Sequence, residues 1–153
     1  MSPETWATIG GVVALVGGMA GSAIGMATAG TAGTAALSED SSQFRNVIVL
    51  AALPVTQTFY ALIITIVVIT SVIPNLTEVS KGIAVFGVCF ISAGAELISA
   101  IYQGQICASG ISLLPKTKGQ IFTNTMLLAV YVELVGVLGL VFCIMIFSLL
   151  GLM

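Results

Sequence analysis

Four apolar stretches constrain this chain more than any other feature. Each exceeds the ~20 helical residues that cross a hydrocarbon core of about 30 Å. They run from about Pro3 to Leu37, Asn46 to Ile73, Gly82 to Ile111 and Ile121 to the C-terminus. The polar connections between them, Ser38–Arg45, Asn75–Lys81 and Ser112–Gln120, are short. With 58% hydrophobic and 7% charged residues, too little polar sequence is left for a soluble domain. The first stretch has no basic residue before it and outruns a signal-peptide core, so it reads as a retained helix. The expected fold is an all-α membrane protein of four transmembrane helices.

Composition also excludes functions. A net charge of -2 without a basic patch argues against nucleic acid as a partner. Histidine is absent, which removes the usual general base and the commonest metal ligand. Cys89, Cys107 and Cys143 lie scattered through apolar segments without metal-like spacing, as buried packing thiols do. No phosphate loop is present, so ATP hydrolysis is not expected of this chain.

Four helices put both termini on one side and the first and third connections on the other. Those two connections hold Arg45, Lys116 and Lys118, against Lys81 alone in the second. The positive-inside rule then makes them cytoplasmic and puts both termini on the non-cytoplasmic side of the cell membrane. In the first segment, Gly17, Gly21, Gly25, Ala29 and Gly33 recur every fourth residue. Such a stripe lets helix backbones approach closely in lipid, either within the chain or between copies in a crowded wall. The halves also read as a repeat. Ala29-Gly30 corresponds to Gln103-Gly104, and Ala51–Leu62 to Leu128–Leu140, which sets Val55 opposite Glu133. The chain therefore divides into two tandem helical hairpins, 1–76 and 77–153.

Of six acidic residues, only Glu96 and Glu133 fall inside the apolar segments. A carboxylate in hydrocarbon is disfavoured by about 2.5–3.5 kcal/mol on insertion scales, and it marks an ion path by default. At ~1.5 Å per residue, Glu133 lies about 18 Å into its segment, Gln57 about 16 Å and Gln103 about 12 Å from the same side. Those three share one layer. Thr56 and Tyr60, four residues apart, share a helix face near it. A hydroxyl, two amides and one carboxylate suit a hard monovalent cation such as Na+. A proton needs less, because an apolar pocket and one hydrogen-bond partner suffice. The surplus of oxygens favours Na+, with H+ as the alternative. Glu96, about 10 Å deeper, is expected to be a protonated carboxyl bonded to a neighbouring helix; a second ion group is the other reading.

Three features on three helices carry a family resemblance. Leu53-Pro54-Val55-Thr56-Gln57 with Tyr60 stands in the second segment and Gln103-Gly104 in the third. The fourth has Glu133 with Gly139 six residues on. Together with the glycine-rich first segment, the chain resembles the proteolipid rotor subunit of V-type (V/A-type) ATPases, in particular the sodium-translocating bacterial K-ring type. The resemblance implies Na+ ligands at the Leu53 carbonyl and the side chains of Thr56, Gln57, Gln103 and Glu133, with Tyr60 hydrogen-bonding Glu133. It further implies a homo-oligomeric ring in membrane lipid. In that ring Glu133 carries the ion past a stator membrane subunit, and proteins of the central stalk touch the cytoplasmic loops. Val55, Ala61 and Glu96 depart from the family pattern. A small multidrug antiporter, the remote alternative, would carry its glutamate in the first segment, which here is glycine-lined and has no carboxylate past Glu4.

Overall fold

The computed structural model describes residues 1–153. Four helices long and apolar enough to cross a membrane make up nearly all of it: Pro3–Glu39, Ser41–Asn75, Val79–Thr117 and Phe122–Leu149. They are called the first to fourth helices below.

The first helix begins where the local chemistry dictates. Ser2 caps it, its hydroxyl accepting the Thr5 N–H at 3.4 Å. Pro3 follows at a position that has no use for an N–H, and Glu4 sits at the positive end of the helix dipole. The chain turns at Asp40, whose carboxylate accepts the Ser42 hydroxyl at 2.6 Å and the Ser42 N–H at 3.0 Å.

The second helix is broken. Regular α-helix covers Phe44–Ala52 and Thr56–Val67, with a 3₁₀ turn at Leu53–Val55 between them. Pro54 causes the break, since it has no N–H to donate and its ring crowds the preceding turn. A π-helical turn, Val68–Val72, follows lower down.

The third helix corrects the expected boundaries at both ends. It starts at Val79 and continues through Pro115 to Thr117, so the third connection shrinks to 118–121. It ends in a left-handed cap, with Lys118 at φ 49° and Gly119 at φ 83°. The Gly119 N–H returns to the Leu114 carbonyl at 3.0 Å, and Lys118 also bonds that last turn.

Contacts fix which ends lie together. A Cβ built on Gly119 would stand 2.9 Å from Gln43 Oε1 and 3.0 Å from Asn46 Nδ2, so the first and third connections adjoin. At the opposite end Gly82 lies against Pro3, and Asn75 Nδ2 donates to the Leu152 carbonyl at 3.2 Å. Both termini therefore share an end with the second connection.

The glycine stripe is used inside the chain. A Cβ on Gly21 would fall 2.7 Å from the Leu97 Cα, and one on Gly25 would fall 2.8 Å from the Pro54 Cβ and into the backbone of Ala100. Gly104 of the third helix meets Gly25 backbone to backbone. The first helix thus seats closely against both the second and the third. Two buried apolar clusters result. One, around Ile64, Val68, Val85 and Phe147, lies toward the termini; the other, around Leu50, Cys107, Ile111 and Leu114, lies toward the first and third connections. The three cysteines are buried and free.

Candidate ion-binding site

Between the two apolar clusters lies a layer of polar side chains. Gln57 and Gln103 are fully buried, with 0% exposure. Glu133, Thr56 and Tyr60 are half-buried at the layer's edge. Three helices contribute, and their side chains form one connected network.

Glu133 holds two donors. The Tyr60 hydroxyl donates to its Oε1 at 2.7 Å, and the Gln103 amide donates to its Oε2 at 3.1 Å. No lysine or arginine reaches the carboxylate, since every cation of the chain lies at a helix end. The Gln57 amide points both its N–H groups across the interface, to Gln103 Oε1 and to Ser99 Oγ, each at 3.0 Å. Its own oxygen faces the opposite way, toward Thr56 Oγ1 at 3.2 Å. Thr56 Oγ1 also reaches the Leu53 carbonyl at 3.1 Å, at the turn made by Pro54. Leu53 O, Thr56 Oγ1 and Gln57 Oε1 are thereby gathered on one side of the second helix. An amide oxygen has two lone pairs, so Gln103 Oε1 keeps one free while accepting from Gln57. The donor set is all oxygen, neutral apart from one carboxylate, and chemically suited to a hard monovalent cation.

All six residues singled out from the sequence, Leu53, Thr56, Gln57, Tyr60, Gln103 and Glu133, meet in this layer. Ser99 was missed. Its hydroxyl accepts from Gln57 and donates to the Val132 carbonyl at 2.9 Å, which ties the amide to the backbone next to Glu133. Its spacing, one turn before Gln103 on the same face, was the available signal.

Glu96 does not behave as expected. It is fully buried, and neither of its oxygens has a hydrogen-bond partner. The anticipated bond to a neighbouring helix is not formed, because the fourth helix presents Gly136 and Gly139 there, without side chains to bond.

The family of ATP synthase C subunits matches residues 9–68 and again residues 86–146. The chain belongs to that family. It is a V/A-type proteolipid of the rotor, one of the ion-carrying parts of these rotary machines and not a catalytic one. Members of the family form homo-oligomeric rings. The chain is similar to the V-type sodium ATPase subunit K of Enterococcus hirae, 31% identical over 121 residues that cover 79% of this chain and 76% of that one. It is also similar to the A-type ATP synthase subunit K of Methanocaldococcus jannaschii, 33% identical over 133 residues. That match covers 86% of this chain but 59% of the archaeal protein, which is therefore considerably longer than the aligned part.

Proposed function

We propose that this protein moves Na+ across the membrane at Glu133, as part of a ring that turns against a stator membrane subunit. The carrying observation is the single hydrogen-bonded network that joins Leu53 O, Thr56 Oγ1, Gln57 Oε1 and Gln103 Oε1 to one carboxylate in the layer between two apolar clusters. A proton would need only the carboxyl and one partner. Four further oxygens are what a dehydrated cation requires. The name of the E. hirae relative, a sodium ATPase subunit, supports the same choice.

The mechanism follows from electrostatics. With Na+ bound the site is neutral and can pass through lipid; without it the carboxylate cannot. The Tyr60 hydroxyl and the Gln103 amide each donate to one oxygen of Glu133 and so fix its direction. Moving one charge across the membrane exchanges about 2.3 kcal/mol per 100 mV, which rotation driven from elsewhere in the complex supplies or receives. The exposed polar cluster of Glu39, Asp40, Ser42, Lys116 and Lys118 offers the central stalk a contact surface. Three cations at that end support a cytoplasmic location for it, with both termini outside. The functional unit of the repeat is the hairpin, 1–76 and 77–153, and only the second carries the ion carboxylate.

The test is carbodiimide modification of Glu133 in the purified ring at neutral pH. Protection by Na+, with a saturable midpoint, is the expected result. Modification indifferent to Na+ but suppressed at alkaline pH would assign the site to protons instead.

A further inference from the structure

Glu96 is unused by the mechanism above, and its surroundings are unlike those of Glu133. It sits on the third helix at 0% exposure with both carboxyl oxygens unpartnered. The Ser92 hydroxyl, one turn earlier on the same face, is 2% exposed and equally unpartnered. Both side chains are aimed at the bare backbone of the fourth helix. A Cβ on Gly136 would stand 2.6 Å from Glu96 Oε2; one on Gly139 would stand 3.5 Å from Glu96 Oε1 and 3.6 Å from Ser92 Oγ. The Ser99 hydroxyl borders the same spot, 3.4 Å from the Gly136 Cβ position. Without side chains, these glycines leave the space that the Glu96 carboxyl occupies.

We propose that Glu96 is a second ion-binding carboxyl of each protomer, and that its occupant is a proton, which it can share with the Ser92 and Ser99 hydroxyls.

Charge comes first. An isolated carboxylate in a dry interior is strongly disfavoured, so Glu96 must be accompanied by a positive charge. No side chain supplies it. Lys81 lies fifteen residues away along the same helix and Lys116 twenty, which is about 22 Å and 30 Å at 1.5 Å per residue. Arg45 and Lys118 belong to the same distant end as Lys116. The titratable groups around Glu96 are all acids: Cys143 and Glu133 from the fourth helix, Tyr60 from the second, and Cys89 and Tyr102 within two turns on its own helix. The first helix brings only Glu4 and Glu39, at its two ends.

A metal cation does not fit either. It needs a cage of several oxygens, and the side-chain oxygens unclaimed here are the carboxyl's own two and Ser92 Oγ. The amides of Gln57 and Gln103 are committed to one another and to Glu133. A proton needs one acceptor, and each flanking hydroxyl offers a lone pair. This holds whichever cation Glu133 carries. The loaded protomer is then neutral only because two carboxyls, not one, are compensated.

Infrared spectroscopy of the purified ring tests the assignment. At neutral pH and saturating Na+, the wild-type ring should show the carbonyl band of a protonated carboxylic acid. E96Q should abolish that band while Na+ stoichiometry stays at one per protomer. Absence of the band in wild type overturns the proposal. So does a stoichiometry that falls from two to one in E96Q, which would make the occupant Na+. If E96Q rings fail to assemble, E133Q rings grown with ¹³C-carboxyl glutamate answer the same question. Their only membrane carboxyl is Glu96, and an isotope-shifted acid band either appears or refutes the assignment.

Discussion

Replacing Ser99 with alanine isolates the role of the Gln57 amide. Both N–H groups of Gln57 are fixed, one by Ser99 and one by Gln103, so its oxygen must face Thr56 and Leu53. In S99A one buried N–H loses its acceptor, because Gln57 is fully buried and water cannot take over. Such an orphaned donor costs about 1–3 kcal/mol. In the empty site the amide relieves that cost by turning toward another acceptor. Cation binding must turn it back, so most of the penalty falls on the bound state. Taking about 1–2 kcal/mol as the differential part, the Na+ affinity should fall about five- to thirty-fold. The assay is the Na+ concentration that half-protects Glu133 from carbodiimide in purified rings at neutral pH. Modification without Na+ should be nearly unchanged, since Tyr60 and Gln103 still hold the carboxylate. S99T, which retains a hydroxyl at the same Cβ, should recover most of the loss. An S99A midpoint equal to wild type would refute the claim that this hydroxyl orients Gln57 toward the ion.

Other substitutions probe the remaining parts. E133Q should assemble into rings yet bind no Na+ by equilibrium dialysis, and complexes containing it should transport none. Y60F removes the donor 2.7 Å from the carboxylate. Hydrogen bonds to charged groups are worth about 1.5–3 kcal/mol, but this one acts in both loaded and empty states, so Na+ affinity should fall less than tenfold while the carboxylate loses its fixed direction. Gly25 and Gly30 should part company: G25A drives a methyl into Ala100 and Pro54 and should lower ring stability by about 1–3 kcal/mol, read as a drop in melting temperature. G30A meets nothing within 4 Å in the chain and should be tolerated. The first connection should weaken in acid. The Ser42 hydroxyl, then the Gln43 amide and the Ser42 N–H, hold the Asp40 carboxyl below its usual value. A depressed value means that stability is present above the ordinary carboxylate range and lost as pH falls through the folded-state value. The protection of the amides of residues 41–43, measured as exchange relative to the intrinsic rate at each pH, should therefore fall below that range in wild type, and D40N should show the lower protection already at neutral pH.

The helices were legible because hydropathy reports burial in lipid directly, and the polar layer because membrane glutamate and glutamine stand out against it. Helix ends were not. Equating the first charge or proline with a stop places the third helix at Gly82–Ile111, whereas it spans Val79–Thr117. Thirty-nine residues make a rod of about 58 Å, so its ends project beyond the hydrocarbon into water, where Lys81 and Lys116 belong. Pro115 is absorbed in the last turn, where Thr117 Oγ1 donates to the Leu113 carbonyl at 2.9 Å and the Lys118 cap closes the end. Ser99 escaped because serine is common in membrane helices, and only the position of Gln57 on another helix gives it a task. The bareness around Glu96 was invisible for a similar reason. It depends on Gly136 and Gly139 facing it, and one-dimensional spacing does not say which helix a glycine faces.

The two membrane carboxyls show why position within a helix bundle, and not acidity, decides whether a site exchanges its ion. Glu133 is half-buried, and two neutral donors from other helices hold it. Those donors stabilise the ionised form during the interval when the cation has left, which any carrier must survive. Glu96 is completely buried, and no hydrogen bond reaches either of its oxygens. Losing its proton would leave a charge with neither water nor a hydrogen bond, so it keeps that proton while its neighbour cycles. Introducing a donor should therefore convert retention into exchange. Gly139, whose Cβ position stands 3.5 Å from Glu96 Oε1 where that of Gly136 would clash at 2.6 Å, is the site with space for a small polar side chain. In G139S rings the acid band assigned to Glu96 should diminish as pH is raised, over a range in which the wild-type band stays constant. An acid band equally constant in G139S and wild type would mean that something other than the missing donor keeps Glu96 protonated.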